Sequence, residues 1–491
     1  MKKITKYIVT AALGTMVFTA CKKDFLDIND NPNSPSTVNI KEVLPSAQMA
    51  IGHVMGNNFQ IFGGLWAEYW TQNPFSSQYK TIEQYSPSAN DFDSPWKICY
   101  ADALQDLKFV VEQGTKDGKM QHVACAKILQ AYTYQVLTDN FGEIPFSEAL
   151  KADEGITAPK YDTQKDVYDG ILTLIDEALS MIDPSAVNAP GSEDLIFQGD
   201  MTMWKKFANT LKLKIYLRLA YVDPAKAQAG VASLAGASFL AGDEEAKISY
   251  SSAPGGTNPL YSIYSELNFT QNLVASYTCL DSMYGLGASY DDLRITVFYD
   301  TIVGNDYNGH TQGDYTDIST PVSQISFPNA NTGANSDKPE SASAPVKFIS
   351  GYESLFLQAE AVARGWMAGS AQSLYQAGIT ANYEAYGLTA SDATAYYTAF
   401  NHLYPVAGTF DQQLEAIITQ KYYSMCGNQC NEAWTEYRRT GYPSFLIESA
   451  STIIGAGRMP NRMFYPSSEL TRNPNVPSQH LIYDRVWWDI N

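Results

Sequence analysis

Between residues 201 and 223, in MTMWKKFANTLKLKIYLRLAYVD, Trp204, Phe207, Leu211, Ile215 and Leu219 recur at three- and four-residue steps. That spacing puts all five on one face of an α-helix and cannot line one face of a strand. Lys205, Lys206, Lys212 and Arg218 occupy much of the remaining surface. They are expected to form a solvated helix face, with a docking surface as the alternative. Similar periodicity predicts helices at roughly 42–70, 92–113, 119–139, 163–182, 352–368, 371–386 and 410–440. Thr163 with Asp166, and Thr409 with Gln412, have capping-box spacing at two of those starts. Neighbouring helices joined by short turns suggest helical hairpins. The starts near 42, 92, 119, 163 and 201 follow no fixed 34-residue period, so any tetratricopeptide-like repeats are degenerate. The expected fold is mostly α, with one short strand-like run from Arg294 to Tyr299. No linker marks a boundary between two domains.

The N-terminus carries Lys2, Lys3 and Lys6, then a 14-residue run from Tyr7 to Ala20 that is apolar apart from two threonines. This is the pattern of a secretory signal, and the run is shorter than the roughly 20 residues needed to span a bilayer. Phe18-Thr19-Ala20-Cys21 looks like a bacterial lipobox, with Phe18 where Leu is usual, so Cys21 is expected to be the lipidated first residue of the mature chain. The organisation read from sequence is a signal peptide over 1–20, a lipidated leash over 21–40 and one domain over 41–491. Within the leash Asp27, Asn29 and Asn31 have the spacing that opens an EF-hand loop. Pro32 stands where the loop needs glycine and no glutamate closes it, so the segment reads as linker.

The chain has 33 basic and 52 acidic residues, net −19, or −22 without the three leader lysines. Such a surface repels phosphate backbones, which argues against nucleic acid as a partner. Aromatic residues make up 13%, including 33 Tyr and 8 Trp, against 17% charged residues, and many of those rings are expected near the surface. Cys99, Cys125, Cys279, Cys426 and Cys430 imply no disulfide framework and are expected as buried thiols. Cys426 and Cys430 have no nearby His or second Cys pair to complete a zinc set.

The sequence contains no G-x-S-x-G elbow, H-E-x-x-H helix, P-loop or dinucleotide fingerprint, and its five histidines are scattered singly. Nothing in it argues for an enzyme or a required cofactor. Two long irregular pieces, 71–91 and 301–345, are long enough to carry function. Trp66 and Trp70 close the first helix, and Phe75, Tyr79 and Tyr85 follow, interleaved with Gln72, Asn73, Gln78 and Gln84. Rings flanked by amides suit a sugar, whose apolar face stacks while its hydroxyls take donors and acceptors. Trp66 is expected in the core. The candidate ligand-binding residues are Trp70, Asn73, Phe75, Gln78, Tyr79 and Tyr85, with Tyr307 from the second piece; whether Asn and Asp residues of 301–345 hold calcium is open.

AYTYQVLTDNFGEIPFSEAL (131–150) resembles the helix end and turn of the SusD/RagB family of outer-membrane nutrient-binding lipoproteins, with Leu137, Asp139, Phe141, Gly142, Ile144, Pro145, Phe146, Glu148 and Ala149 filling the family pattern. Gly142 is expected to stop the helix in a left-handed cap and Pro145 to prevent its resumption. Segments 204–220, 355–366, 420–443 and 457–470 resemble family segments in the same order, as does the leash. The resemblance implies about four tetratricopeptide-like helical pairs and an irregular portion bearing the ligand surface. It also implies a lipid-anchored position on the outer membrane, facing the exterior, with a SusC-like TonB-dependent transporter as partner. Oligosaccharides are the implied ligands; peptides or another nutrient are the alternative, and a surface glycosidase is a more remote one. Trp434 and Arg438, one turn apart, suit a cation–π contact, and Arg438 or Arg439 could clamp a carboxylate. As parts of a family-wide motif, neither is placed in the binding site.

Overall fold

A computed structural model describes residues 39–284, 292–302, 304, 306–318, 321–325, 339–399 and 402–490. The leader, Cys21 and the Asp27-Asn29-Asn31 spacing lie outside the described residues.

Helix α1 (Ile40–Gly56) and α2 (Asn58–Trp66) replace the single helix expected over 42–70. Asn57, at φ −124° and ψ −98°, interrupts the helical path, and Glu68 at φ +56° turns the chain into strand β1 (Trp70–Gln72). Next come α3 (Lys80–Glu83), α4 (Asp93–Lys97), which runs through a π-helical turn (Ile98–Leu104) into α5 (Gln105–Lys116), and then α6 (Met120–Phe141) and α7 (Gln164–Met181). Helix α6 is buried on every side, from Val123 and Cys125 to Leu137 and Phe141, as expected of a central helix whose sequence lacks a polar face. It ends at Gly142, φ +86° and ψ −121°, whose N–H bonds to the Thr138 carbonyl at 3.0 Å. The positive φ explains the glycine, although this is not the left-handed helical cap expected.

Helix α8 (Met201–Arg218) follows Asp200, which caps the N–H groups of Thr202 and Met203. Its predicted apolar face is buried throughout: Trp204, Phe207, Leu211, Ile215 and Leu219 are all inaccessible to solvent. The opposite face corrects the expectation of a solvated surface in part: Lys205 is exposed and Lys206 half-buried, but Lys212 and Arg218, with Lys214 beside them, are buried. Helix α9 (Pro224–Ser233) and α10 (Pro259–Glu266), missed in the sequence because they are short, start at Asp223 and Asn258 caps with proline at the first helical position. Strands β2 (Ala246–Ile248) and β3 (Leu273–Ala275) flank α10, followed by α11 (Tyr277–Met283) and α12 (Ile295–Phe298). Helix α12 occupies the run expected as a strand; Arg294, held by Asp292 at 2.6 Å, precedes it.

Strand β4 (Val346–Ile349) leads into α13 (Gly351–Ala363), α14 (Ala371–Ala385) and α15 (Ala390–Thr398). The helix expected over 410–440 is two, α16 (Phe410–Met425) and α17 (Cys430–Thr440), because Cys426 turns extended at ψ 127°. Helix α18 (Ser467–Arg472) is the last. Both expected starts are capped: Thr163 receives the Asp166 N–H, and at Thr409 the full box forms, with Gln412 bonding back.

Sequential helices pack as hairpins, α6 with α7, α8 with α9, α13 with α14 and α16 with α17, which gives the mostly helical, paired scaffold that was expected. Two two-stranded antiparallel ladders, β1–β3 and β2–β4, link distant parts of the chain. Most tyrosines are core residues rather than surface ones. Tyr352, Tyr375, Tyr383, Tyr396 and Tyr404 form a cluster with Phe356 and Ile379. Their burial is tolerated because hydroxyls find acceptors, as Tyr422 Oη does on the Ala67 carbonyl (2.8 Å) and Tyr299 Oη on that of Tyr69 (2.9 Å). Cys99, Cys125, Cys279, Cys426 and Cys430 are buried free thiols.

The buried basic face of α8 meets α13, α16 and α17 in an ion network. Arg439 grips Glu360 with two bonds of 2.7 and 2.6 Å and also reaches Glu436 at 2.7 Å. Arg218 bonds Glu432 at 2.8 Å and pairs with Glu436, while Lys214 reaches Glu432 at 2.8 Å and Glu353 at 3.1 Å. Burial would raise the Glu432 carboxyl, but Arg218, Lys214 and Lys421 override it and hold the group at about 2. Arg438 lies 3.5 Å from the Trp434 ring centroid and donates to the Asp139 and Asn461 carbonyls at 2.8 and 2.9 Å. The expected cation–π contact is therefore present, and both arginines serve the scaffold.

Candidate carbohydrate-binding face

The β1–β3 ladder pairs Trp70 with Ala275 and Gln72 with Leu273. Beyond its open end, Asn73-Pro74-Phe75-Ser76 makes a turn in which the Ser76 N–H bonds to the Asn73 carbonyl at 3.0 Å. Asn at the first position and Pro at the second are the residues such a turn favours. Asn73 Oδ1 accepts the Phe75 N–H at 3.0 Å, and its amide donates to the Gln271 carbonyl at 2.8 Å. Gln72 holds the return of the loop, its Oε1 accepting the Tyr79 N–H at 2.6 Å and its amide donating to Ser76 Oγ at 2.5 Å. These bonds fix the backbone while leaving the Phe75 ring 74% exposed.

At the other end of the ladder, Tyr277 opens α11 with its side chain 49% exposed, its N–H bonded to the His310 carbonyl at 2.8 Å. Tyr284, at the end of the same helix, donates to Asp306 Oδ1 at 2.9 Å and accepts the Tyr307 N–H at 3.2 Å. This brings the half-buried Tyr307 alongside. An exposed ring thus stands beyond each end of a short ladder, with Asn73 at the Phe75 end and Asp306 at the Tyr277 end.

Beneath the ladder lie two carboxyls in the core. Glu83 accepts from Thr71 Oγ1 (2.5 Å), the Gln72 N–H (2.9 Å) and Tyr315 Oη (2.5 Å). Glu68 accepts the Ile447 N–H at 2.8 Å. Burial raises both, Glu68 to about 8, outweighing the hydrogen bonds that lower it. Lys80 sits 4.1 Å over the Tyr315 ring, closing this edge.

Of the residues singled out in the sequence, Phe75 and Gln78 are exposed, and Asn73 and Tyr307 partly so. Trp70, Tyr79 and Tyr85 are a correction: at 0%, 6% and 1% exposure they offer no ring to a ligand. Trp70 packs against Gly64, where a Cβ would fall 2.3 Å from its ring. Tyr85 Oη accepts the Ser449 N–H at 2.9 Å and contacts Met459 Sδ at 3.3 Å. Trp66 is in the core as expected, 4.8 Å from Trp434. Tyr277 was missed, since nothing around it in the sequence distinguishes an exposed tyrosine from the many buried ones.

The family model described as SusD-like, "Starch-binding associating with outer membrane", matches residues 32–466. The chain belongs to the SusD-like family. The structure of a SusD homolog from Bacteroides uniformis is similar at a TM-score of 0.76 and 23% identity, covering 91% of this chain and 99% of that one. A chitin-binding SusD homolog from Flavobacterium johnsoniae gives 0.75 and 24%, covering 92% and 99%, and a homolog from Bacteroides vulgatus 0.73 and 22%, covering 90% and 97%. No curated protein sequence matches. In this SusD-like chain, Asp139, Arg218, Glu360, Trp434 and Arg439, drawn from the family-resembling segments, are all buried. The exposed rings of the candidate face come from outside those segments. No helix of the described residues is long and apolar enough to cross a membrane.

Proposed function

We propose that this chain is a non-catalytic lipoprotein of the outer membrane that captures oligosaccharides at the face carrying Phe75 and Tyr277 and delivers them to a SusC-like TonB-dependent transporter. The observation that carries the reading is Phe75, a large apolar ring held in water by a backbone that Asn73 and Gln72 fix in place. A sugar ring can stack on such a platform without first having to order it. Membership in a family described as starch-binding and associated with the outer membrane supports the ligand class. Cys21 then serves as the lipid tether that keeps the capture face beside its transporter. The test is calorimetric titration of the purified chain with soluble oligosaccharides, together with an assay for new reducing ends. Binding without cleavage is expected, and cleavage would overturn the non-catalytic reading.

A further inference from the structure

The described residues between Leu273 and Ile325, whose bridges Val274–Gln324 and Ser276–His310 build the Tyr277 end of the ladder, hold six acidic residues and one basic residue, Arg294. Arg294 is fully buried, clamped by Asp292 at 2.6 Å and enclosed by the rings of Tyr383, Tyr396 and Tyr423. Asp281 is exposed one helical turn after Tyr277. Asp306 is exposed and bonded to Tyr284, and hydrogen bonds from Thr316 hold Asp314 below the usual carboxylate range. The other half, from Tyr69 to Tyr79, carries no charge. Lys80, which follows it in the chain, lies 4.1 Å over the Tyr315 ring. Recognition of a carboxylate or sulfate calls for an arginine fork or a lysine, and an unpaired anion brought beside fixed like charges is repelled.

Resting on the reading of this face as a glycan-binding surface, we infer that it selects uncharged or amine-bearing oligosaccharides and rejects those bearing uronate or sulfate groups. The test titrates the full mature chain with maltohexaose, cellohexaose, N-acetylglucosamine and glucosamine hexamers, hexamers of galacturonate and hyaluronan, and a pentalysine peptide. The tightest ligand should be a neutral or amine-bearing hexamer, exceeding either acidic hexamer by roughly tenfold or more. Asp281→Lys, at an exposed carboxylate outside the contacts that shape the face, should narrow that gap while leaving the affinity of a neutral hexamer within about twofold and the melting temperature unchanged. An acidic hexamer binding as tightly as the best neutral one overturns the inference and leaves glycan binding standing. Pentalysine binding with no oligosaccharide bound, or no binding across the panel, overturns the glycan reading and the inference with it.

Discussion

Phe75 keeps most of its ring in water while Asn73 fixes its backbone, so removing the ring alters the ligand-facing surface and little else. Phe75→Ala should weaken oligosaccharide binding about tenfold, roughly 1.4 kcal/mol, with the melting temperature unchanged. Tyr85→Ala should do the reverse, costing about 3 kcal/mol of stability in denaturant titration because it empties a core site and leaves the Ser449 N–H without its acceptor. Equal stability of the two variants would contradict these assignments. Glu68 supplies a pH signature. The folded chain keeps a proton on it up to about 8, whereas its usual value is 4.5. The native state therefore binds more protons between those limits, and stability falls as pH rises through them, by at most roughly 1.4 kcal/mol per pH unit. Glu68→Gln removes that dependence, so its melting temperature should gain on the parent chain from pH 5 to pH 8, and a constant difference would contradict it. The mixture of amides and rings over 71–85 was visible in the sequence. Which rings face water was not, because the Trp70 ring packs on Gly64 of the preceding helix and Tyr85 meets the segment around Ser449, contacts that the pattern of rings and amides does not encode.

Helix α17 shows how an element acquires charge it could not bear alone. Glu432 and Glu436 are one turn apart and buried, tolerated because Arg218, Lys214 and Lys421 arrive from α8 and α16. Glu432→Ala strips the shared counter-charge from all three and should cost about 3–5 kcal/mol by chemical denaturation. A loss below about 1 kcal/mol would show that the network contributes little. The apolar face of α8 and the caps at Thr163 and Thr409 were legible because their signals are local. The fate of Arg218 was not, since a basic helix face reads as solvated until acids far along the chain are brought against it, as Glu432 is to Arg218 at |i−j| = 214. The same limit split two predicted helices, at Asn57 and Cys426, where periodicity continues but the backbone turns.

For the whole molecule, helical pairs form the scaffold, and the proposed capture face lies on the loops. Four of the five family-resembling segments of the described chain fall largely on buried helices, which made the scaffold legible from sequence, whereas 457–470 is mostly loop. The ligand face has no such pattern to read. Tethering is separable from capture in this account: Cys21→Ser should release the protein from the membrane fraction while the purified chain keeps its ligand affinity, and a loss of affinity would mean that the N-terminus contributes to the face. The proposal that the two exposed rings hold a glycan is tested by titrating the Phe75→Ala/Tyr277→Ala variant against the tightest-binding oligosaccharide of the parent chain. Affinity should fall at least about 100-fold at an unchanged melting temperature. Parental affinity in that variant would contradict it.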